Sequence, residues 1–222
     1  MKNKHVLIIT GGYFSTAFAR EYVKEQNFDT VIAVDRGLAY ALELGLYPNY
    51  ILGDFDSVPG EVLLQYHNSL DKDNLVEFIK LKPEKDETDT QIAIELAIKL
   101  EAEEIVLLGA TGKRIDHLLA NIHLLSLTLN YNMKAYIVDE YNKLYLINKN
   151  TSLRKEELYG TYVSLVPFTD VVGGVTLEGF KYPLHKKDLY MGVSLGISNE
   201  VMADKADIIF ESGILIITES KD

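Results

Sequence analysis

Two short segments place acids where a strand should end. In "ILGDFDS" (51–57), Asp54 and Asp56 follow an apolar run with one residue between them. Alternate side chains of an extended chain point to the same side, so these two carboxylates face one way while Phe55 anchors into the core and Gly53 permits the turn. In "KPEKDETDTQIA" (82–93), Asp86 and Asp89 stand three residues apart where a helix begins. Thr88 and Gln91 there fit a capping box that puts Asp89 in the first turn. Simpler roles exist: an Asx turn closing a strand for the first pair, and complementing the helix dipole for Asp89. Neither accounts well for Asp86, nor for both loops falling at the carboxyl ends of strands, where open α/β sheets bind ligands. Four carboxylates on one rim repel one another unless something positive sits between them. With no Cys and only 5 His in the chain, hard oxygen ligation of Mg²⁺, shared with a substrate's phosphates, is the expectation.

The complementary charge comes from "LLGATGKRIDHLLANIHLL" (107–125). A strand ends at Gly109, Gly112 allows close backbone approach, and a helix starts near Arg114. Helix N-terminal amides beside a basic side chain make a phosphate cradle. The spacing is neither G-x-x-x-x-G-K-[ST] nor G-x-G-x-x-G, so by itself it is weak, since Gly is common at such turns for packing reasons. Asp116 and His117 fall in the first helical turn, where an acid that complements the dipole and a solvated histidine are equally natural. His123, in an apolar helix, reads as a core or interface residue.

These loops need a scaffold, and the first two-thirds of the chain supplies one. Apolar strand patterns at 5–10, 30–34, 50–52, 104–109 and 134–139 alternate with helical patterns at 15–25, 38–45, 88–102 and 116–129. Continuous apolar strands alternating with helices predict a doubly wound, mostly parallel sheet covered on both faces. After about residue 140 the pattern changes to short β-type runs: "KLYLI", "TYVSLVPF", "GVTLEGF", "GVSLGIS", "KADIIF" and "GILIIT". Gly- and charge-rich turns separate them, and "IIFESGILII" reads as a hairpin around Glu211-Ser212-Gly213. An antiparallel β-sandwich is expected there. The domain division is 1–140 and 141–222.

Composition narrows the partners. With 22 Lys and Arg against 33 Asp and Glu, the formal net charge is −11, which disfavours a broad nucleic-acid interface. The absence of Cys removes disulfides, thiolate metal sites and Cys nucleophiles. No run approaches the roughly 20 apolar residues of a membrane helix, and "MKNKHVLIIT" reads as a first strand rather than a signal peptide. A cytoplasmic protein without membrane partners is expected.

Taken in order, "AVDRG" (33–37), "GDFDS" (53–57), "KDETD" (85–89), "GATGKRIDH" (109–117) and "GISNE" (196–200) resemble the thiamine pyrophosphokinase family, as does "GVTLEGFKYPL" (174–184). The resemblance implies an ATP- and Mg²⁺-binding catalytic α/β domain, then a β-sandwich for thiamine binding and dimerisation. It implies a homodimer with active sites at the subunit interface, and transfer of the β,γ-pyrophosphoryl unit of ATP to thiamine with release of AMP. Asp54, Asp56 and Asp89 would hold Mg²⁺, with Asp86 close by. Asp35, Arg36, Gly109, Thr111, Gly112, Lys113, Arg114 and Asp116 would belong to the ATP and phosphate site. Ser198 and Asn199 would contact the aminopyrimidine of thiamine. Tyr182 occupies a place where some relatives carry a stacking Trp from the partner subunit. Other readings are a pyrophosphokinase with a different alcohol acceptor, a nucleotide-binding regulator without catalysis, and a Mg²⁺-dependent phosphohydrolase.

Overall fold

The computed structural model describes residues 4–53, 60, 76–81 and 86–222. The chain divides into two compact units, Met1–Glu140 and Tyr141–Asp222.

Among the described residues of the first unit, six strands form a parallel sheet: β1 (His5–Ile9), β2 (Thr30–Val34), β3 (Tyr50–Gly53), β4 (Glu77–Lys80), β5 (Glu104–Leu108) and β6 (Lys134–Val138). Their order is β6-β5-β1-β2-β3-β4, and every pairing is parallel. Ile8 of β1 lies beside Ile32 of β2 on one side and Leu107 of β5 on the other. The chain winds outward from β1 to β4, then returns to the opposite side of β1 with β5 and β6. That reversal is the topology of a doubly wound sheet, and it makes the crevice at the carboxyl ends of β1 and β5 the switch point. The central strands are buried along nearly their whole length, with Leu7, Ile8, Ile9, Ile32, Ile105 and Leu107 at 0% exposure, which is why they read as unbroken apolar runs.

Among the described residues, the helices of this unit include α1 (Thr16–Glu25), α2 (Gly37–Glu43), α3 (Asp89–Lys99), α4 (Ile115–Leu124) and the single turn α5 (Ser126–Leu129). The long helix expected over 116–129 is thus two pieces. Strand β4 carries no clear apolar signal: its sequence is EFIK, at the sheet edge and largely exposed. An edge strand needs no apolar face on both sides and gains from charged side chains that discourage further pairing.

The second unit is a sandwich of two antiparallel sheets. One runs β12-β9-β14-β7 and the other β11-β10-β13-β8. The strands are β7 (Asn142–Ile147), β8 (Thr151–Arg154), β9 (Tyr162–Pro167), β10 (Val171–Glu178), β11 (Leu184–Tyr190), β12 (Asn199–Glu200), β13 (Lys205–Ile209) and β14 (Leu215–Ser220). Burial alternates strictly along β9 and β14, and Val163, Leu165, Leu215, Ile217, Val172, Val175 and Ile208 fill the interior at 0% exposure. Period-2 alternation is what one buried face per sheet requires.

Two expectations for this unit are corrected. β13 and β14 do not form a hairpin: β13 pairs with β8 and β10, and β14 with β7 and β9. The turn at Glu211–Gly213 carries the chain from one sheet to the other, with Gly213 at φ 96. "GVSLGIS" is no strand but a loop, and the strand before it is β11. Its alternating apolar residues, Val193, Leu195 and Ile197, are 56%, 44% and 48% exposed. They have the period of a strand without a sheet to bury them. No described helix is long and apolar enough to cross a membrane.

The first unit also depends on one close approach. A Cβ on Gly37, at the start of α2, would lie 1.9 Å from the Ile9 carbonyl oxygen of β1. Gly37→Ala should therefore cost about 1–3 kcal/mol by overpacking. The urea midpoint checks this, and an unchanged midpoint would show that α2 can move aside freely.

Candidate active site

The switch point is assembled from main chain. After β1 the chain passes through Thr10, Gly11 and Gly12, and after β5 through Gly109–Gly112. The two loops touch: the N–H of Gly12 donates to the Gly109 carbonyl at 2.8 Å, and that of Tyr13 to the Thr111 carbonyl at 2.7 Å. The buried Thr10 hydroxyl donates to the Gly109 carbonyl at 2.5 Å. A Cβ on Gly12 would fall 2.3 Å from both the Gly109 and Thr111 carbonyl oxygens, so only glycine permits this contact. From the other side, Asn121 of α4, 7% exposed, donates its amide to the Ala110 carbonyl at 2.8 Å.

The segment 109–117 therefore arrives with its backbone fixed. Gly109 and Gly112 have φ 72 and 137, values that disfavour any other residue. The Thr111 hydroxyl oxygen is buried and has no hydrogen-bond partner among the described residues, a polar group that awaits one. Lys113, Arg114, Asp116 and His117 are exposed at the start of α4. Arg114 is the N-cap residue and supplies no side-chain cap, whereas α3 is capped by Thr88, whose hydroxyl accepts from the Gln91 N–H at 3.2 Å. An uncapped helix start leaves the anion-binding character of its first turn available.

Arg114 and Asp116 form a two-pronged pair, Nε to Oδ1 at 3.2 Å and Nη2 to Oδ2 at 2.5 Å. The Arg114 hydrogen bond holds the Asp116 carboxyl below its ordinary range, and the same bond raises Arg114. Because the folded-state value of Asp116 is depressed, the pair is intact at neutral pH and opens only as pH falls through that lowered value. Both side chains are well exposed, at 70% and 62%, so the pair adds little to stability. Its use is geometric: a guanidinium has five N–H donors, and two on Asp116 leave three for a phosphate.

Next along the rim, Asp35 and Arg36 end β2. Asp35 holds a left-handed backbone at φ 48, a conformation in which non-glycine residues gather at functional sites. Its carboxylate lies against Gly53 at the end of β3, where a Cβ would be 2.1 Å from Oδ1. Arg36 lies over the Tyr40 ring at 5.7 Å, and that ring stacks on Phe14 at 4.4 Å. Asp54 and Asp56, which follow Gly53, lie outside the described residues. Asp86 is exposed, and Asp89 is half-buried in the first turn of α3. The described residues contain no group of three or more acids or histidines able to hold a metal. The structure thus gathers Asp35, Arg36 and the 109–116 segment near one crevice, with Asp89 at the start of α3.

In the second unit, Tyr182, Ser198 and Asn199 come together. Tyr182 is 58% exposed and Asn199 2%. The Asn199 side chain bonds the main chain of Tyr182 in both directions, accepting at 3.0 Å and donating at 2.8 Å. Ser198 has a left-handed φ of 54, and its N–H donates to the Ser164 hydroxyl at 3.0 Å.

Known families match both units of the chain. The family model "Thiamin pyrophosphokinase, catalytic domain" matches residues 22–137, and "Thiamin pyrophosphokinase, vitamin B1 binding domain" matches residues 150–215. The chain belongs to the thiamin pyrophosphokinase family. It is an enzyme. Thiamine pyrophosphokinase of Bacillus subtilis (strain 168) is 31% identical over 191 residues, 86% of this chain and 87% of the relative. A crystal structure of the Bacillus subtilis thiamine pyrophosphokinase superposes with a TM-score of 0.87 at 29% identity, covering 99% of this chain and 100% of the other. The Geobacillus thermodenitrificans thiamin pyrophosphokinase gives 0.83 at 33% identity, covering 98% of each chain. The family assignment and the α/β-plus-sandwich fold expected from the sequence are both borne out.

Sequence reasoning missed Thr10, Gly12 and Asn121, which fix the 109–112 loop. The signal for Asn121 was present: one amide in the apolar helix "LLANIHLL" asks for a buried partner. Asn121→Leu keeps the branched shape but leaves the Ala110 carbonyl unpaired, and should lower stability by about 1–3 kcal/mol. Thermal unfolding reads the loss; full stability would mean another donor reaches that carbonyl.

Proposed function

We propose that this enzyme transfers the terminal pyrophosphoryl group of ATP to the hydroxyl of thiamine and releases AMP. The observation that carries the reading is the tandem match to a catalytic and a vitamin B1-binding family model, in that order along the chain. The switch-point geometry supports it, because a rigid glycine loop and an uncapped helix start suit a chain of phosphates.

The thiamine hydroxyl oxygen attacks the β-phosphorus in line, the bond from that phosphorus to the oxygen shared with the α-phosphate breaks, and the hydroxyl proton is lost. The chain's part is positioning and charge compensation. Gly109, Thr111, Gly112 and Lys113 bind phosphate oxygens, with the Thr111 hydroxyl supplied its missing partner there. Arg114, oriented by Asp116, stabilises the charge that grows in the transition state. Asp35 and Arg36 complete the nucleotide side, and Tyr182, Ser198 and Asn199 the thiamine side.

The carboxylates suit a hard divalent ion, since their donor oxygens are of the right kind and the bare Cα of Gly53 leaves room for the Asp35 carboxylate beside the end of β3. Asp54, Asp56 and Asp89 would hold Mg²⁺ with Asp86 close by, and when bound it supplies positive charge to the phosphate oxygens. The ATP requirement fits a cytoplasmic setting. We also read the enzyme as a homodimer: the exposed apolar run of Tyr190, Met191, Val193, Leu195 and Ile197 is the kind of patch a second copy covers.

The decisive experiment incubates the protein with ATP, Mg²⁺ and thiamine and separates the products. AMP and thiamine diphosphate in equal amounts are expected; ADP with thiamine monophosphate, or no thiamine product at all, would overturn the assignment. In the same assay Arg114→Met should lower kcat about a hundredfold or more, and Asp89→Asn should raise the Mg²⁺ concentration needed for half-maximal rate. Sedimentation equilibrium should return twice the chain mass, and a monomer at micromolar concentration would refute the dimer.

A further inference from the structure

Tyr182 is an exposed aromatic on an irregular stretch between β10 and β11, where no strand ladder holds it. Its main chain is nevertheless fixed at both polar atoms by one side chain. The Asn199 Oδ1 accepts from the N–H of Tyr182 at 3.0 Å and from that of Glu200 at 2.9 Å. The Asn199 Nδ2 donates to the Tyr182 carbonyl at 2.8 Å. Two N–H groups converging on one atom require that atom to be the oxygen, so the orientation of the amide is set by its partners.

The surroundings reinforce this clamp. Phe180 bridges Val201, and the N–H of Lys181 donates to the Glu200 carbonyl at 2.8 Å. The Lys181 ammonium meets the Glu200 carboxylate at 2.6 Å and lies over the Tyr182 ring, 5.6 Å from its centroid. Pro183 follows, which restricts the backbone of Tyr182 from its other side. Asn199 itself is 2% exposed while Tyr182 is 58% exposed. A buried amide with both oxygen lone pairs occupied is a scaffold for the ring that stands above it.

We propose that Asn199 is a positioning residue that presents the Tyr182 ring to the aminopyrimidine of thiamine, acting through the Tyr182 main chain rather than through its own contact with the ligand. This rests on the reading of Tyr182 as a thiamine-stacking residue. A stacking ring held in place before the ligand arrives loses less freedom on binding than one on a loose bend.

The chain contains no Trp, so Tyr182→Trp provides a single indole reporter. Asn199→Ala in that background should lower the indole's fluorescence anisotropy and, by removing three hydrogen bonds of a buried amide, the melting temperature, without moving the KM for ATP. In a double-mutant cycle, Tyr182→Ala should raise the KM for thiamine about tenfold, and Asn199→Ala should raise it in the parent but add nothing further to Tyr182→Ala. Asn199→Asp, which keeps the accepting oxygen and loses the donor, should give an intermediate rise and serves if the alanine variant does not fold. Additive effects of the two alanine substitutions would mean that Asn199 touches thiamine directly and would overturn this proposal alone. A normal thiamine KM for Tyr182→Ala would overturn the stacking role and the clamp together. Unchanged anisotropy in Asn199→Ala would also reject the clamp.

Discussion

The loops that leave β1 and β5 are joined through their main chains, and the placement of the 109–112 segment depends on that junction. Gly12 sits where a single added carbon would strike two carbonyl oxygens at 2.3 Å. Because it has no side chain, the loops exchange backbone hydrogen bonds, and the 109–112 segment is positioned without a flexible contact. Thr10 and Asn121 then occupy carbonyls of the same segment. The result is a preorganised turn leading straight into α4, with Arg114 at its start. Sheet topology explains why this happens between β1 and β5: where the winding reverses, adjacent connections diverge and leave a crevice.

The second unit presents its candidate groups by different means. In a sandwich the ladders fix the strands, but the residues between them must be held by side chains. Asn199 does this for Tyr182, and Ser164 for the N–H of Ser198. Asp35 in one unit and Ser198 in the other share a left-handed backbone. Such conformations persist only where surrounding bonds over-determine them.

Charge is distributed against the bulk composition. The chain carries a net −11, yet Arg36, Lys113 and Arg114 gather beside the switch point. Asp116 orients Arg114 without exhausting its donors, so the guanidinium is placed before any anion arrives. Asp35 and Asp116 stand among these bases, so both signs of charge meet there.

Residue type and order alone specify the parallel α/β core, because fully buried strands must be apolar throughout and connecting helices must be amphipathic. The acidic and glycine-rich segments and the family are legible in the same way. Strand β4 is not legible in the sequence because an edge strand such as EFIK has no buried pattern to display. "GVSLGIS" showed a strand's alternation yet forms a loop, since period alone does not create a neighbouring ladder. "IIFESGILII" looked like a hairpin because a tight turn and a crossing between sheets use the same residues. Folding in three dimensions sets the meeting of Gly12 with Gly109, of Asn121 with Ala110 and of Asn199 with Tyr182. Each of these joins residues distant in the chain through a backbone atom, and backbone atoms carry no trace of their partner in the sequence.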